Sequence, residues 1–311
     1  MVAIPRILVL GSANLDTVVS VPHLPVPGET VLAQGWTQGL GGKGANQAVA
    51  AARCGAQVTL AGAVGQDPDG VLLLDSLRGS GVDVSRVRTS GALGSGRAMV
   101  LVDEAGENLI SVYAGANALA SVRGLDAEEL AANFDLALSQ LEVPASAVEE
   151  LGQLCEAAGV PFMLNLAPYS DVPRSVLSRC RVLVVNREEA RGLTGVVVRT
   201  KDDAIVAARA ARVLGAQHVV VTLGADGCVA VDDDRELRVD GLRVRSVDTT
   251  GSGDAFVGSL ATSLAQGASL DDAVRDANVW GAAASATPGA VTTDETVRIA
   301  REIGAISVAG E

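Results

Sequence analysis

Aromatic side chains are nearly absent. Three Phe, two Tyr and two Trp make up 2% of the 311 residues, although 48% of the chain is hydrophobic. A core must then be built from Ala, Val and Leu, which suits layers of helix on sheet better than an aromatic-rich sandwich. Cations are also scarce: 24 Lys and Arg face 37 Asp and Glu, a formal net charge of −13, and no run of basic residues occurs. Nucleic acid and anionic membrane surfaces need such runs, so neither is expected as a partner. A phosphate-bearing ligand would have to be met by backbone N–H groups at a helix start and by Mg²⁺. The four cysteines (Cys54, Cys155, Cys180, Cys228) lie far apart without CxxC or Cys/His spacing, which excludes a zinc or redox motif and predicts buried thiols. No apolar run reaches the roughly 18 residues of a spanning helix, and the chain enters a strand-like ILVLG almost at once; a cytoplasmic protein is the expectation.

What is present is alternation. Short β-branched runs (RILVLG, QVTLAGAVG, PFMLNL, RVLVVN, HVVVTLG) exchange with Ala/Leu-rich amphipathic stretches (NQAVAAARCG, DGVLLLDSLRGSG), and LALSQLE adds a further strand. This pattern predicts an α/β fold: a central, mostly parallel sheet with right-handed crossovers and helices on both faces, in a single domain over 1–311. Two stretches, at about 14–40 and 94–115, break the alternation and read as strands joined by turns at Pro27-Gly28-Glu29 and Glu104-Ala105-Gly106-Glu107. They predict a small separate sheet, a lid over a site on the main sheet. Edge strands of the main sheet are the alternative.

Two glycine-rich segments carry chemistry. Gly39-Leu-Gly-Gly-Lys-Gly44 matches GxGxxG by count but lacks the βαβ context, and Gly44 stands where a Walker A loop needs Ser or Thr. It offers instead a flexible backbone, a cation (Lys43) and an amide (Asn46) at a helix start, groups suited to a polyhydroxylated ligand. Asp248-Thr-Thr-Gly-Ser-Gly-Asp-Ala-Phe256 precedes the helix-like VGSLATSLAQG. Its glycines let an anion approach N–H groups at the positive end of a helix dipole. Asp254 directly after such a hole could take a proton from a nucleophile, or could equally cap the helix.

Taken together, GSANLD near the start, GGKGAN, and DTTGSGDAF near the end resemble the ribokinase-like family of carbohydrate kinases. PVPGET, AGANA at 114–118, QLE at 140–142, VVNREE and VTLGADG fall in that family's order, so the resemblance spans essentially the whole chain. It implies transfer of the γ-phosphate of ATP to a primary hydroxyl of a small sugar, the 5-hydroxyl of D-ribose in the first instance. Asp254 would be the base, with Gly251, Ser252 and Gly253 forming the anion hole. Asn14 and Asp16 would bind sugar hydroxyls, with an Asx-turn as their ordinary alternative; Gly42, Lys43, Asn46 and Glu142 would complete the sugar site. Asn186 and Glu189, an NxxE pair otherwise readable as an acidic first turn, would organise Mg²⁺ and phosphate oxygens through water. Thr222, Gly224, Asp226 and Gly227, otherwise a hairpin turn, would line the nucleotide together with Gly253 and Asn278. The family's monovalent-cation frame corresponds here to Asp248, Thr250, Ala284, Thr287, Gly289 and Thr293 and implies K⁺. The resemblance also implies a homodimer formed through the lid. The hole reads Gly-Ser-Gly where ribose-specific members often carry Ala-Ala-Gly, and Asn278 replaces a His often found beside the adenine.

Deoxyribose, fructose, a sugar acid or a nucleoside are alternative acceptors; a nucleoside would want an aromatic pocket that seven aromatic residues scarcely supply. A catalytically silent sugar-binding regulator on the same fold is the non-enzymatic alternative, and a nicotinamide dehydrogenase rests only on the GLGGKG match. The two histidines, His23 and His218, fall in a lid turn and at a strand start, away from the chemistry.

Overall fold

The structure is a computed structural model that describes residues 3–233 and 235–309, the side chains beyond 304 excepted. The chain begins with β1 (Arg6–Leu10), β2 (Asn14–Ser20), β3 (Gly35–Gly41), α1 (Lys43–Arg53), β4 (Gln57–Gly65) and α2 (Pro68–Gly79). It continues through β5 (Val82–Ser90), β6 (Gly96–Val102), β7 (Asn108–Tyr113), α3 (Ala127–Asn133), β8 (Leu136–Ser139) and α4 (Ala145–Ala158). Then come β9 (Phe162–Asn165), α5 (Arg174–Leu177), β10 (Cys180–Val185), α6 (Arg187–Thr194), α7 (Lys201–Val213) and β11 (His218–Thr222). The last elements are β12 (Gly227–Val231), β13 (Glu236–Asp240), α8 (Ser252–Ala265), α9 (Leu270–Ser285) and α10 (Asp294–Ala309).

Nine strands form the main sheet in the order β13-β12-β11-β10-β9-β8-β1-β4-β5. Every pairing is parallel except β11–β12 and β12–β13, an antiparallel meander at one edge. Both faces are covered, as a parallel sheet requires. Period-2 alternation divides the apolar side chains into two cores: Leu8 and Leu10 belong to one, with Leu151 of α4 and Ala208 of α7, while Ile7 and Val9 belong to the other, with Val49 of α1 and Leu260 of α8. Several helix starts follow local capping chemistry. Asp67 accepts from the Gly70 N–H ahead of Pro68 at the first position of α2, and Thr200 and Asp203 cap α7 reciprocally.

The segments expected to break the alternation do form a sheet of their own, in the order β3-β2-β6-β7. Its strands are shorter than the sequence pattern suggested: residues 21–34 lie outside any strand, with proline at 22, 25 and 27 removing ladder donors. All six residues of β7 are exposed.

The small-residue composition matters most where α1 meets α8. A Cβ on Gly258 would stand 2.6 Å from the Ala50 Cβ and 2.8 Å from the Gln47 carbonyl oxygen, so the two helices approach more closely than a side chain would permit. Cys155, Cys180 and Cys228 are buried and Cys54 is half-buried, so the expectation of four buried thiols fails at Cys54. All four are free, and burial pushes the Cys54 thiol up to about 12. Among the described residues no helix is long and apolar enough to cross a membrane.

Candidate active site

Asp254 sits in the first turn of α8, where a carboxylate ordinarily accepts from its own helix's N–H groups. The structure departs from that: α8 begins at Gly251 without a side-chain cap. The Asp254 carboxylate, in a residue only 7% exposed, instead accepts from α1, from Asn46 Nδ2 at 3.1 Å and from Gln47 Nε2 at 2.8 Å. Gln47 Nε2 also donates to Asn165 Oδ1 at 2.9 Å, which ties the pair to the end of β9. Two neutral amides therefore orient the carboxylate.

The hole beside it is built largely from backbone. Gly251 is left-handed (φ 74°), and a Cβ there would come within 2.0 Å of the Ala290 carbonyl oxygen, so only glycine fits. A Cβ on Gly253 would meet nothing within 4 Å, so the space in front of the helix start is open. The Ser252 N–H already donates to the Thr249 carbonyl at 3.2 Å. Among the described residues the N–H groups of Gly251, Gly253 and Asp254 have no protein acceptor, which leaves them as donors available to an anion. Ser252 Oγ is buried without a partner.

On the sugar side, Asn14 and Asp16 lie on β2, not in an Asx-turn. Asn14 Oδ1 accepts from Asn117 Nδ2 at 2.7 Å, and Asn117 Oδ1 accepts the Ala13 N–H at 3.0 Å. Asp16 Oδ1 is buried and unpaired; burial, with repulsion from Glu142 and Asp254, raises its pKa to about 7. Gly42 precedes α1 in a left-handed conformation, and Lys43 opens the helix at the end where the dipole disfavours a cation. Asp254, and beyond it Glu142 and Glu189, more than offset the cost of burial and hold the Lys43 pKa above its ordinary value. Glu142, three residues past β8, accepts from Ser12 Oγ at 2.6 Å and from the Lys43 N–H at 2.9 Å. It joins three segments of chain behind the site.

On the side expected to take nucleotide, the ordinary readings are realised. Asn186 caps α6 in a reciprocal box with Glu189, whose carboxylate accepts from Asn186 N and Nδ2, both at 2.8 Å. Glu189 is nonetheless 7% exposed, and burial raises its pKa. Thr222, Gly224 and Gly227 belong to a true hairpin turn between β11 and β12. Asp226, expected to line the nucleotide, points its carboxylate to Arg187. Asn278 is buried and donates to the Asp240 carbonyl at 2.9 Å.

Within the expected cation frame, the Asp248 carboxylate accepts the N–H groups of Thr250 at 2.9 Å and Gly289 at 3.0 Å. Burial opposes its charge, but these bonds outweigh that and hold its pKa low. Thr287 Oγ1 donates to the Ala284 carbonyl at 3.0 Å, and both Thr287 and Thr293 share Thr296 Oγ1. One carboxylate with neighbouring carbonyls and hydroxyls is a hard-oxygen set of low charge, which fits K⁺. Mg²⁺ fits differently: among the described residues no group of three Asp, Glu, His or Cys could hold a metal, and Asn186 and Glu189 are engaged with each other. They suit a hydrated ion held through water.

Gln47, Asn117, Asn165 and Ser12 escape sequence reasoning. Gln47 left one signal, a polar residue inside the Ala-rich run NQAVAAAR, and the structure buries it completely.

Comparison with known proteins gives the family. The pattern of the pfkB family of carbohydrate kinases matches residues 5–297. A ribokinase of Haemophilus influenzae is 37% identical, covering 86% of this chain and 88% of that protein. A deoxyribokinase of Salmonella typhi is 33% identical over 89% of this chain and 91% of its own. The structure of an Arabidopsis thaliana ribokinase complexed with ribose and ATP superposes with a TM-score of 0.86 at 29% identity, covering 96% of this chain and 99% of that one.

Asp16 gives the ligand-free protein a measurable pH dependence. Its folded pKa of about 7 lies above the ordinary carboxylate value. The folded state therefore keeps a proton that the unfolded chain gives up, and stability falls as pH rises through the interval between the two values, then levels off. Asp16→Asn is expected to melt close to wild type at pH 4 and above it at pH 8. Thermal unfolding of both proteins across that range checks this.

Proposed function

The chain belongs to the pfkB family of carbohydrate kinases and is a phosphotransferase acting on a sugar hydroxyl, and we propose that it moves the γ-phosphate of ATP to the 5-hydroxyl of D-ribose. The observation that carries this reading is the orientation of Asp254: buried, not capping its helix, and held by Asn46 and Gln47 beside a helix start where the N–H groups of Gly251, Gly253 and Asp254 are free. Asp254 accepts the proton of the sugar hydroxyl as that oxygen bonds to the γ-phosphorus and the bond to ADP breaks. The N–H groups of Gly253 and Asp254, at the positive end of α8, meet charge growing on the phosphoryl oxygens. Lys43, in the field of the same carboxylates, adds a cation on that side.

Asp16, Asn14 and Glu142 position the sugar. The unpaired Asp16 Oδ1, Asn46 Oδ1 and Gln47 Oε1 are buried acceptors that sugar hydroxyls would satisfy. Mg²⁺, held through water near Asn186 and Glu189, supplies neutralisation of phosphate charge when bound. Thr222, Gly224, Gly227 and Asn278 form the nucleotide side. The relatives named ribokinase favour ribose; the deoxyribokinase relatives favour 2-deoxyribose as the second acceptor. Use of ATP favours a cytoplasmic location.

Asp254→Asn is expected to lower kcat by about 10²–10⁴-fold with sugar binding largely kept. Turnover near wild type would rule out Asp254 as the base. Coupled assays over ribose, deoxyribose and fructose are expected to give the highest kcat/KM for ribose.

The Asp248, Thr250 and 284–293 frame supports K⁺ activation. Turnover is expected to be several-fold higher in potassium than in sodium or tetramethylammonium buffers; equal rates would exclude the cation's role.

The lid supports a homodimer. Trp36 (65% exposed), Met99 (56%), Ile110 (56%) and Tyr113 (55%) leave it more apolar than a lone surface usually is, and a second copy's lid is the partner of matching chemistry. Sedimentation is expected to give a dimer at micromolar concentration. Met99→Glu and Ile110→Glu, on opposite faces by strand register, would show which face is shared. A wild-type monomer would overturn the assignment.

A further inference from the structure

Arg187 is the first residue of α6, another cation at the helix end where the dipole opposes it. Its guanidinium makes four hydrogen bonds. Nη1 donates to the carbonyl oxygens of Val198 at 3.3 Å and Arg199 at 3.1 Å; Nη2 donates to the Leu223 carbonyl at 3.2 Å and to Asp226 Oδ2 at 2.5 Å. Leu223 precedes, and Asp226 ends, the tight turn Gly224–Asp226 that links β11 to β12. The residues of that turn are exposed, and a cavity of about 440 Å³ lies against it, lined by Arg187, Arg199, Lys201, Leu223, Asp226 and Asp240 among others. Lys201, which opens α7, pairs with Asp240 across the same cavity, and the Asp240 carbonyl also accepts from Asn278.

We propose that Arg187 is a positioning residue for the nucleotide: it fixes the turn at 223–227 through the Leu223 carbonyl and Asp226, seconded by Lys201 acting on Asp240. The inference rests on the reading that this turn lines the ATP site. An ion pair to Asp226 alone would count for little, because that side chain is 69% exposed. The added weight comes from the carbonyl bonds, which are charge-assisted and use the planar fork on two segments of chain at once. A lysine has one point of donation and cannot reproduce it.

Steady-state kinetics and hydrogen exchange on the full chain test this. Arg187→Ala is expected to raise KM for ATP about tenfold, the effect of losing one such set of bonds. KM for the sugar, and kcat at saturating ATP, should stay within about twofold of wild type. Amides of residues 222–227 should exchange faster in the ligand-free variant, and ADP should protect them less. Arg187→Lys should recover only part of the loss. Asp226→Asn, a smaller change at an exposed site, should shift KM for ATP in the same direction by less. An unchanged KM for ATP would overturn the proposal, as would a uniform loss of stability with sugar and ATP parameters moving together. If the wild-type protein phosphorylated no sugar, the kinase reading would fail instead, and the exchange comparison with ADP alone would still decide the role of Arg187.

Discussion

The site depends on two helices lying closer together than ordinary side chains allow. Asp254 is on α8 and its two amide donors are on α1, more than 200 positions earlier in the chain. A Cβ at Gly258 would collide with Ala50 and with the backbone of α1, so the hydrogen bonds at one end of the contact are set by missing atoms further along it. The composition explains how this is tolerated. A core of Ala, Val and Leu packs backbone near backbone, and a chain with seven aromatic residues has few bulky groups to hold such helices apart.

Electrostatics around the site follow from the same crowding. Four carboxylates, Asp16, Glu142, Glu189 and Asp254, act on one another or on Lys43. They are tolerated by different means: Asp254 by amides, Glu142 by a hydroxyl and a backbone N–H, Glu189 by the cap of α6, and Asp16 by retaining its proton to near neutrality. Asp16 is the one left with an unpaired buried oxygen, as expected of a group whose partner is a ligand.

How much of this was legible in the sequence varies with the range of the interaction. Strand periodicity and the two interrupting segments fixed the layers and the separate sheet, because those signals are local. Residues inside glycine-rich motifs, such as Asp254, Lys43 and Asn46, stood out for the same reason. Gln47 and Asn165 did not: each lies in an apolar run, and its meaning comes from partners more than 100 residues away. The spent N–H of Ser252 was invisible too, since a glycine-rich turn shows that donors exist but not which of them folds inward. At Asn186 and Glu189 the structure shows the local reading, a capping box that satisfies the helix, and it leaves a buried carboxylate available for the proposed role.

The exposed strand β7 of the second sheet has a colloidal consequence. Its apolar side chains would adhere to many surfaces, yet each molecule carries a net charge of −13, so two copies approach against long-range repulsion. Only a contact extensive and complementary enough to overcome that repulsion persists, and casual encounters are shed. Salt weakens this discrimination long before it disturbs the core, because repulsion between exposed charges is screened within about 10 Å at ordinary ionic strength while buried packing is not. The acidity of the chain thus helps to choose its own associations.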